Sequence, residues 1–409
     1  MTEERLKHVA TVRVSNVDKK SADGDRAVLL CNYTHVYYHE KITRQLDFMA
    51  ATATSDQYAV FGLRRDDVII TKDSETADDI GISAVVVDDV PDLVCGYHLA
   101  VVRARPTRAF GPYLQWTLAS MPARQRMSAV ATGVTRFGLR SEAIADIPIP
   151  LPPLSTQRAV ADYLDRETAR IDALIAAKGR MMELLEQRWR EYRNGQFHLL
   201  DAPRVKLGRF VLSIGQGVSP EAEARPVEGA EWGVLKLNAV KAGRFKPSEH
   251  KTLPESFPPM PHMVPKVGDL LVTRANTPEL VGDVCAVTIP TPRLILCDLI
   301  YVLRLRPALD PRYAAQALLT NDARVQLSSA ARGTSQSMVK LRGEDVKATE
   351  IPLPTIDKQH AVVELLARES ARVDAMSQRL ALSIALLEER RRALIAAAVT
   401  GQLVIPDAA

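Results

Sequence analysis

The chain has 409 residues, 46% hydrophobic and 25% charged, with a formal net charge of +4 and a pI near 8.8. That length calls for two or three domains, each large enough for its own core, and the mildly basic balance permits a nucleic-acid partner without requiring one. No apolar run reaches about 18 residues and the start, Met1-Thr2-Glu3-Glu4-Arg5, is polar, which predicts neither a membrane span nor a signal peptide; the scattered Cys31, Cys95, Cys285 and Cys297 make no CxxC pair and read as buried thiols of a reducing cytoplasm.

Residues 1–150 are mixed and strand-rich. Ala27–Cys31, Val68–Ile70, Ala84–Val87 and Leu99–Val102 are short apolar runs bounded by Gly, Asp or Pro, and read as strands. The segment around His35 and His39 reads as strand and turn. A helix is predicted over Tyr113–Ala119. The acidic pairs Asp66-Asp67, Asp78-Asp79 and Asp88-Asp89 read as solvated turns, and the prolines ending at Pro153 close the domain.

A long helix follows in residues 151–200, with Ser155 as its expected N-cap. Its apolar residues step by three and four through Leu164, Ile171, Ile175, Met182, Leu185 and Trp189. Residues 201–350 repeat the strand-rich pattern, with glycine loops at Gly215-Gln216-Gly217 and Gly268-Asp269. Residues 351–409 then give a second long helix, expected to be capped by Asp357. Its stripe runs Leu366, Val373, Leu380, Ile384, Leu387, Leu394. Alternating steps of three and four make a coiled-coil seam, although Thr168, Lys178 and Arg391 interrupt it. Each helix is expected to span roughly 38 residues, about 57 Å at 1.5 Å per residue. A stripe of this length needs a partner, and each helix has the other. The first reaches Gly195 sooner after Arg190 than the second reaches Gly401 after Arg392, so the second is expected to run about one turn further. Trp189 and Tyr192 have an alternative role, facing another chain.

The second half echoes the first. Ile149-Pro150-Leu151-Pro152 returns as Ile351-Pro352-Leu353-Pro354, and Gln359 lies 202 residues after Gln157. The same offset relates Ala169-Arg170 to Ala371-Arg372, Leu139-Arg140 to Leu341-Arg342, Asp67–Lys72 to Asp269–Arg274, and Cys95 to Cys297. A period this long marks a duplicated domain rather than a solenoid. The expected fold class is therefore α+β: two duplicated strand-rich domains separated by two long helices that pair as an antiparallel coiled coil, with pseudo-two-fold symmetry. Such a molecule suits a partner with two similar sites, as a DNA duplex with two half-sites offers.

Motifs for catalysis are missing from the sequence. There is no GxxxxGK[ST] loop, and Gly215-Gln216-Gly217 lacks a third glycine. No Asn or Asp precedes Pro-Pro-Tyr or Pro-Pro-Phe, as a base-flipping amino-methyltransferase would need. The histidines make no HExxH or Cys/His cluster.

The layout resembles the specificity subunit of type I restriction-modification enzymes. The resemblance is carried by Cys31-Asn32-Tyr33-Thr34 with Val36-Tyr37-Tyr38, by Ile70–Thr76, by Val94-Cys95-Gly96-Tyr97-His98-Leu99 and by Gly133–Leu139. Its most specific part is Pro150-Leu151-Pro152-Pro153-Leu154 with Gln157 and the helix beyond, recurring over residues 351–376 and closing on Ala398-Val399-Thr400-Gly401. The second strand-rich domain matches least, and the short end of the first helix departs from the pattern.

The resemblance implies two target-recognition domains, residues 1–150 and 201–350, and two spacer helices. It implies a subunit without its own catalytic site or cofactor. Double-stranded DNA with a split target, two modification subunits and restriction (motor-nuclease) subunits would be its partners, in the cytoplasm. S-adenosylmethionine, ATP and Mg would be used on those partner subunits. Polar loop residues beside glycines or strand ends are the candidate DNA contacts: Tyr33, Thr34, Lys72, Ser74, Thr135 and Arg136 in the first half, and Arg274, Asn276, Thr277, Arg332, Thr334, Ser335 and Gln336 in the second. Lys72 and Arg274 are one offset apart, which suits equivalent phosphate contacts, while Arg, Asn and Gln suit bidentate base reading. Two other functions compete. A self-contained DNA methyltransferase or nuclease would act without partners, and a coiled-coil scaffold would bind no DNA selectively.

Overall fold

The computed structural model describes residues 2–335 and 338–405. The chain divides into two compact units, one holding the residues up to Gly179 and those from Ala381 on, the other holding Arg180–Leu380. Each unit thus contains part of each long helix.

In the first unit a five-stranded sheet runs in the order Ala10–Val14, Leu99–Ala104, Val68–Thr71, Ser83–Val86, Lys41–Ile42. Its pairings are antiparallel except the last. Side chains alternate across a strand, and here both faces are covered. Val68, Ile70, Ala100 and Val102 enter one core with Tyr113 and Trp116 of the helix Gly111–Ala119. Ile69, Leu99 and Val101 enter a second core with Leu30, Val94 and Cys95 of the three-stranded sheet Met49–Ala53, Arg26–Cys31, Leu93–Cys95. Two-sided burial explains why these strands read as continuous apolar runs.

The second unit uses the same devices. Its four-stranded antiparallel sheet is Val211–Gln216, Ile300–Leu305, Leu270–Thr273, Val284–Ala286. Leu270 and Val272 face a core with Tyr313 and Leu318, and Leu271 faces another with Leu235 and Leu296. A three-stranded sheet, His250–Thr252, Gly233–Leu235, Leu294–Leu296, pairs antiparallel and then parallel, as its counterpart does.

Three local expectations are corrected. Tyr33–Tyr38 is a helix, because Asn32 and His35 close a capping box: the Asn32 amide donates to His35 Nδ1 at 2.9 Å. Asp67 is buried rather than solvated, since Arg103 grips both its carboxylate oxygens at 2.7 Å. Gly215 and Gln216 lie in a strand rather than a loop, paired with Val302 and Tyr301.

Both long helices have 45 residues, Leu154–His198 and Ile356–Thr400. They are longer than expected and equal to each other. The first continues through Gly195, where one glycine costs about 1 kcal/mol, because Trp189 and Phe197 on either side of it are buried in the core of the second unit. Ser155 and Asp357 stand inside the first turn rather than before it; the Gln157 amide donates to the Pro153 carbonyl at 2.9 Å and the Gln359 amide to the Thr355 carbonyl at 3.0 Å. Every expected seam residue is withdrawn from solvent. Leu164, Ile171, Trp189, Leu366 and Val373 are buried, and Ile175, Met182, Leu185, Leu380, Ile384, Leu387 and Leu394 are half-buried. In the first unit Val160, Ala161 and Leu164 share a core with Ile395, Ala398 and Val399, and Arg391 donates to Asp172 at 2.9 Å. In the second unit Trp189 and Phe197 share a core with Val362, Leu366 and Val373. Within each unit, therefore, the start of one helix lies with the end of the other. Trp189 is core; Tyr192 packs at its edge, with its ring 6.4 Å from that of Trp189.

A buried glutamine ties each long helix to its own proline run and to the loop before the helix Gly111–Ala119 or Pro311–Leu318. Gln157 accepts from the Phe110 amide at 2.8 Å and donates to the carbonyls of Arg108 and Pro152 at 3.1 and 2.8 Å. Gln359 accepts from the Asp310 amide at 2.9 Å and donates to the carbonyls of Ala308 and Pro354 at 3.0 Å. The prolines are fastened again by the hydroxyls of Tyr113 and Tyr313, each 2.9 Å from a proline carbonyl, Pro150 and Pro352. Gln157→Leu orphans three backbone groups and should cost the first unit about 3 kcal/mol or more, at 1–3 kcal/mol per unsatisfied buried group. Urea unfolding checks this; a loss under about 0.5 kcal/mol, the size of a neutral surface change, would show that the glutamine does not hold the junction.

Candidate nucleic-acid interface

The candidate residues of the first unit gather at one end of its main sheet. Beyond Val68–Thr71 the chain continues through Lys72 between two neighbours. The Lys72 amide donates to the His98 carbonyl at 3.0 Å, and the Leu139 amide donates to the Lys72 carbonyl at 2.8 Å. Asp73–Ser74 then pairs with Phe137–Gly138, and a bridge between Thr132 and Gly138 closes the loop that carries Thr135 and Arg136. Gly133 must be glycine: its φ is 148°, and a Cβ would meet the Arg136 carbonyl oxygen. The loop's side chains Val134, Thr135 and Arg136 are therefore thrust into solvent. Tyr33 and Thr34 open the helix Tyr33–Tyr38. Thr34 is exposed, and the Tyr33 ring stacks on Tyr37 at 5.4 Å.

Lys72 and Ser74 are buried. The Lys72 ammonium lies 2.6 Å from the Asp73 carboxylate, and His98 Nδ1 lies 2.8 Å from the same oxygen. Burial pushes the Asp73 carboxyl up, but hydrogen bonds from Lys72 and His98, with their charge, hold it below the usual carboxylate range. The Lys72 ammonium also lies 4.8 Å from the centre of the Tyr97 ring. Lys72 is thus engaged inside the protein rather than offered to solvent. Tyr97, His98 and Asp73 were not picked from the sequence, although Asp73 sits between two residues that were.

The second unit builds the same backbone with different side chains. The Arg274 amide donates to the Leu299 carbonyl at 2.8 Å, and the Leu341 amide donates to the Arg274 carbonyl at 2.7 Å. Ala275–Asn276 pairs with Val339–Lys340, and Arg332 stands opposite Lys340. Arg274, Asn276, Thr277 and Arg332 are therefore brought to one sheet end. Asn276 Oδ1 accepts from the Thr277 amide at 2.9 Å. Arg332 is exposed, with Asp345 at 3.7 Å. Arg274 has no carboxylate partner among the described residues; its guanidinium lies over the Tyr301 ring at 5.6 Å, and its buried Nε is without a hydrogen bond. Thr334 and Ser335 fall in the strand Arg332–Ser335. Gln336 lies outside the described residues. No group of three or more metal-ligating side chains occurs among the described residues, and none of their helices is long and apolar enough to cross a membrane.

Residues 25–179 match the family described as the type I restriction modification DNA specificity domain. The chain is 28% identical over 163 residues to the type I restriction enzyme EcoEI specificity subunit of Escherichia coli, covering 39% of this chain and 27% of that one. It is 23% identical over 313 residues to the EcoKI specificity subunit of E. coli strain K12, covering 68% and 63%. The matches thus span less than two thirds of the length of these relatives. Among solved structures, a chain from a study of complex assembly and conformational transition of the type I R-M system superposes with a TM-score of 0.74 at 19% identity, over 98% of both chains. The HsdS subunit from Thermoanaerobacter tengcongensis superposes at 0.51 with 18% identity, over 98% of this chain and 97% of that one. These two are likenesses of fold.

The lowered Asp73 carboxyl has a testable cause. A depressed carboxylate stabilises the folded state above its unfolded pKa of about 3.9, and this stabilisation is lost as pH falls through the folded value. In Lys72→Met burial is opposed by His98 alone, so Asp73 should titrate at higher pH than in the unaltered protein. Carbon-13 NMR of the side-chain carboxyl reads this directly, and an unmoved titration would remove Lys72 as its partner.

Proposed function

From the match of residues 25–179 to the type I restriction modification DNA specificity domain, we propose a non-catalytic subunit that reads a split DNA target, one half-site with each unit. The single observation that carries this is the recurrence of one backbone arrangement in both units. Lys72 between His98 and Leu139, and Arg274 between Leu299 and Leu341, each lead into a short antiparallel pairing, Asp73–Ser74 with Phe137–Gly138 and Ala275–Asn276 with Val339–Lys340. Equivalent frames with different side chains are what two half-sites of different sequence require, since phosphate contacts position a protein and base contacts specify the site.

In this reading the exposed Thr34, Thr135 and Arg136, with Tyr33 beside them, meet one half-site. Arg274, Asn276, Thr277, Arg332, Thr334, Ser335 and Gln336 meet the other. Lys72 and Ser74 act from beneath the face. The two units derive from a duplication, and the long helices pair as an antiparallel coiled coil that sets the gap. One helical turn is about 5.4 Å against about 3.4 Å per base pair, so a change of one turn alters the spacer by one or two base pairs. The helices also dock two modification subunits, and restriction subunits join them in the cytoplasm. S-adenosylmethionine, ATP and Mg belong to those partners. The competing scaffold role has nothing specific in its favour, because a scaffold has no need of matched strand frames that carry different polar side chains.

Electrostatics offers the test. Arg136→Ala and Arg332→Ala, made separately in the assembled complex, should each weaken binding to target DNA and lower the slope of log affinity against log salt by about one, if each releases one counterion. Binding that is unselective and insensitive to both changes would favour the scaffold.

A further inference from the structure

We infer that Tyr97 and His98 are sequence-determining residues for the half-site read by the first unit, and that Asp73 and Lys72 position them. This rests on the DNA-reading function proposed above and names which side chains do the reading.

Tyr97 and His98 form the turn that leads into the strand Leu99–Ala104, beside Lys72 and at the same sheet end as the exposed loop of Thr135 and Arg136. Tyr97 is 51% exposed. It is not loose, however. Its ring lies 4.8 Å from the Lys72 ammonium and meets the His98 ring edge-on at 4.9 Å. His98 is held in turn. An ionised Asp73 can only accept a hydrogen bond, so His98 Nδ1, at 2.8 Å, is the donor. Nε2 has no hydrogen bond among the described residues; it accepts in the neutral ring and donates in the protonated one.

Two rings locked in orientation, one with an unpaired ring nitrogen and one with a hydroxyl, can read base edges at little entropic cost. In the major groove Nε2 as an acceptor matches the exocyclic amino groups of adenine N6 and cytosine N4, as a donor it matches guanine O6 and N7, and the tyrosine ring matches an apolar edge such as the thymine methyl. Lys72 is then a positioning residue, its charge spent on Asp73 and on the Tyr97 ring. The second unit lacks this device. At the equivalent backbone positions it has Ala275 for Asp73 and Leu299 for His98, and its Arg274 has no carboxylate partner among the described residues. The two half-sites are therefore read by different chemistry.

The test is a genome methylation map from cells making the full chain with its modification subunit, the unaltered protein compared with Tyr97→Ala, His98→Gln and Asp73→Asn. Each variant should relax discrimination on the order of tenfold at one or more positions of one half-site, leaving the other half-site and the gap unchanged. Arg274→Ala should affect only the other half-site. An unchanged motif in Tyr97→Ala and His98→Gln at normal occupancy would overturn the assignment. Should Tyr97→Ala abolish methylation, Tyr97→Phe decides: a restored or degenerate first half-site supports the contact, whereas equal loss with a lowered Tm marks a folding effect and overturns it. If the unaltered protein gives no split motif, it is the DNA-reading function itself that fails.

Discussion

The two units depend on one buried polar side chain apiece. Gln157 and Gln359 each satisfy three backbone groups where a loop, a proline run and a long helix converge. Proline removes a donor and stiffens the chain, so the junction can be closed only by a side chain that both donates and accepts. Glutamine does so without a charge, and buried charge would carry a heavy desolvation cost. With the junction closed, the direction in which the helix leaves the proline run is fixed.

A second constraint acts at the far end of the sheet. Covering both sheet faces leaves only the strand ends and their loops for a ligand. Both units build that end in the same way, with a basic residue, Lys72 or Arg274, just past an interior strand. They differ in what they do with the basic residue. Lys72 is neutralised by Asp73, whereas Arg274 lies over an aromatic ring. A fixed backbone thus permits side-chain variety.

Much of this was legible in the sequence, for physical reasons that also mark its limits. The apolar stripe of each long helix, Leu164 to Trp189 and Leu366 to Leu394, could be read because helix periodicity survives exchanges such as Trp189 for Arg391. Gln157 and Gln359 stood out as a repeat, but their burial and the three backbone bonds each makes were hidden, because those partners are chosen by folding. The strands around Ile69 and Leu271 could be read because burial on both faces demands unbroken apolar runs. The helix Tyr33–Tyr38 was hidden, since Tyr, Thr and Val favour strands and the capping box of Asn32 and His35 carries no strong pattern. The burial of Asp67 and Lys72 was hidden because their partners, Arg103 and Asp73, are chosen by folding. Tyr97 and His98 stood within a recognisable stretch, but nothing in one sequence separates a side chain that faces a ligand from one that faces the core.

The account turns on two units reading two half-sites. Single-molecule methylation mapping of cells expressing this chain with its neighbouring modification subunit, against cells lacking the chain, tests that most directly. The predicted result is a bipartite motif, two short specific halves around a fixed non-specific gap with methyladenine in each half, lost when the chain is absent. A continuous motif, or an unchanged methylome from a complex shown to assemble, would contradict it.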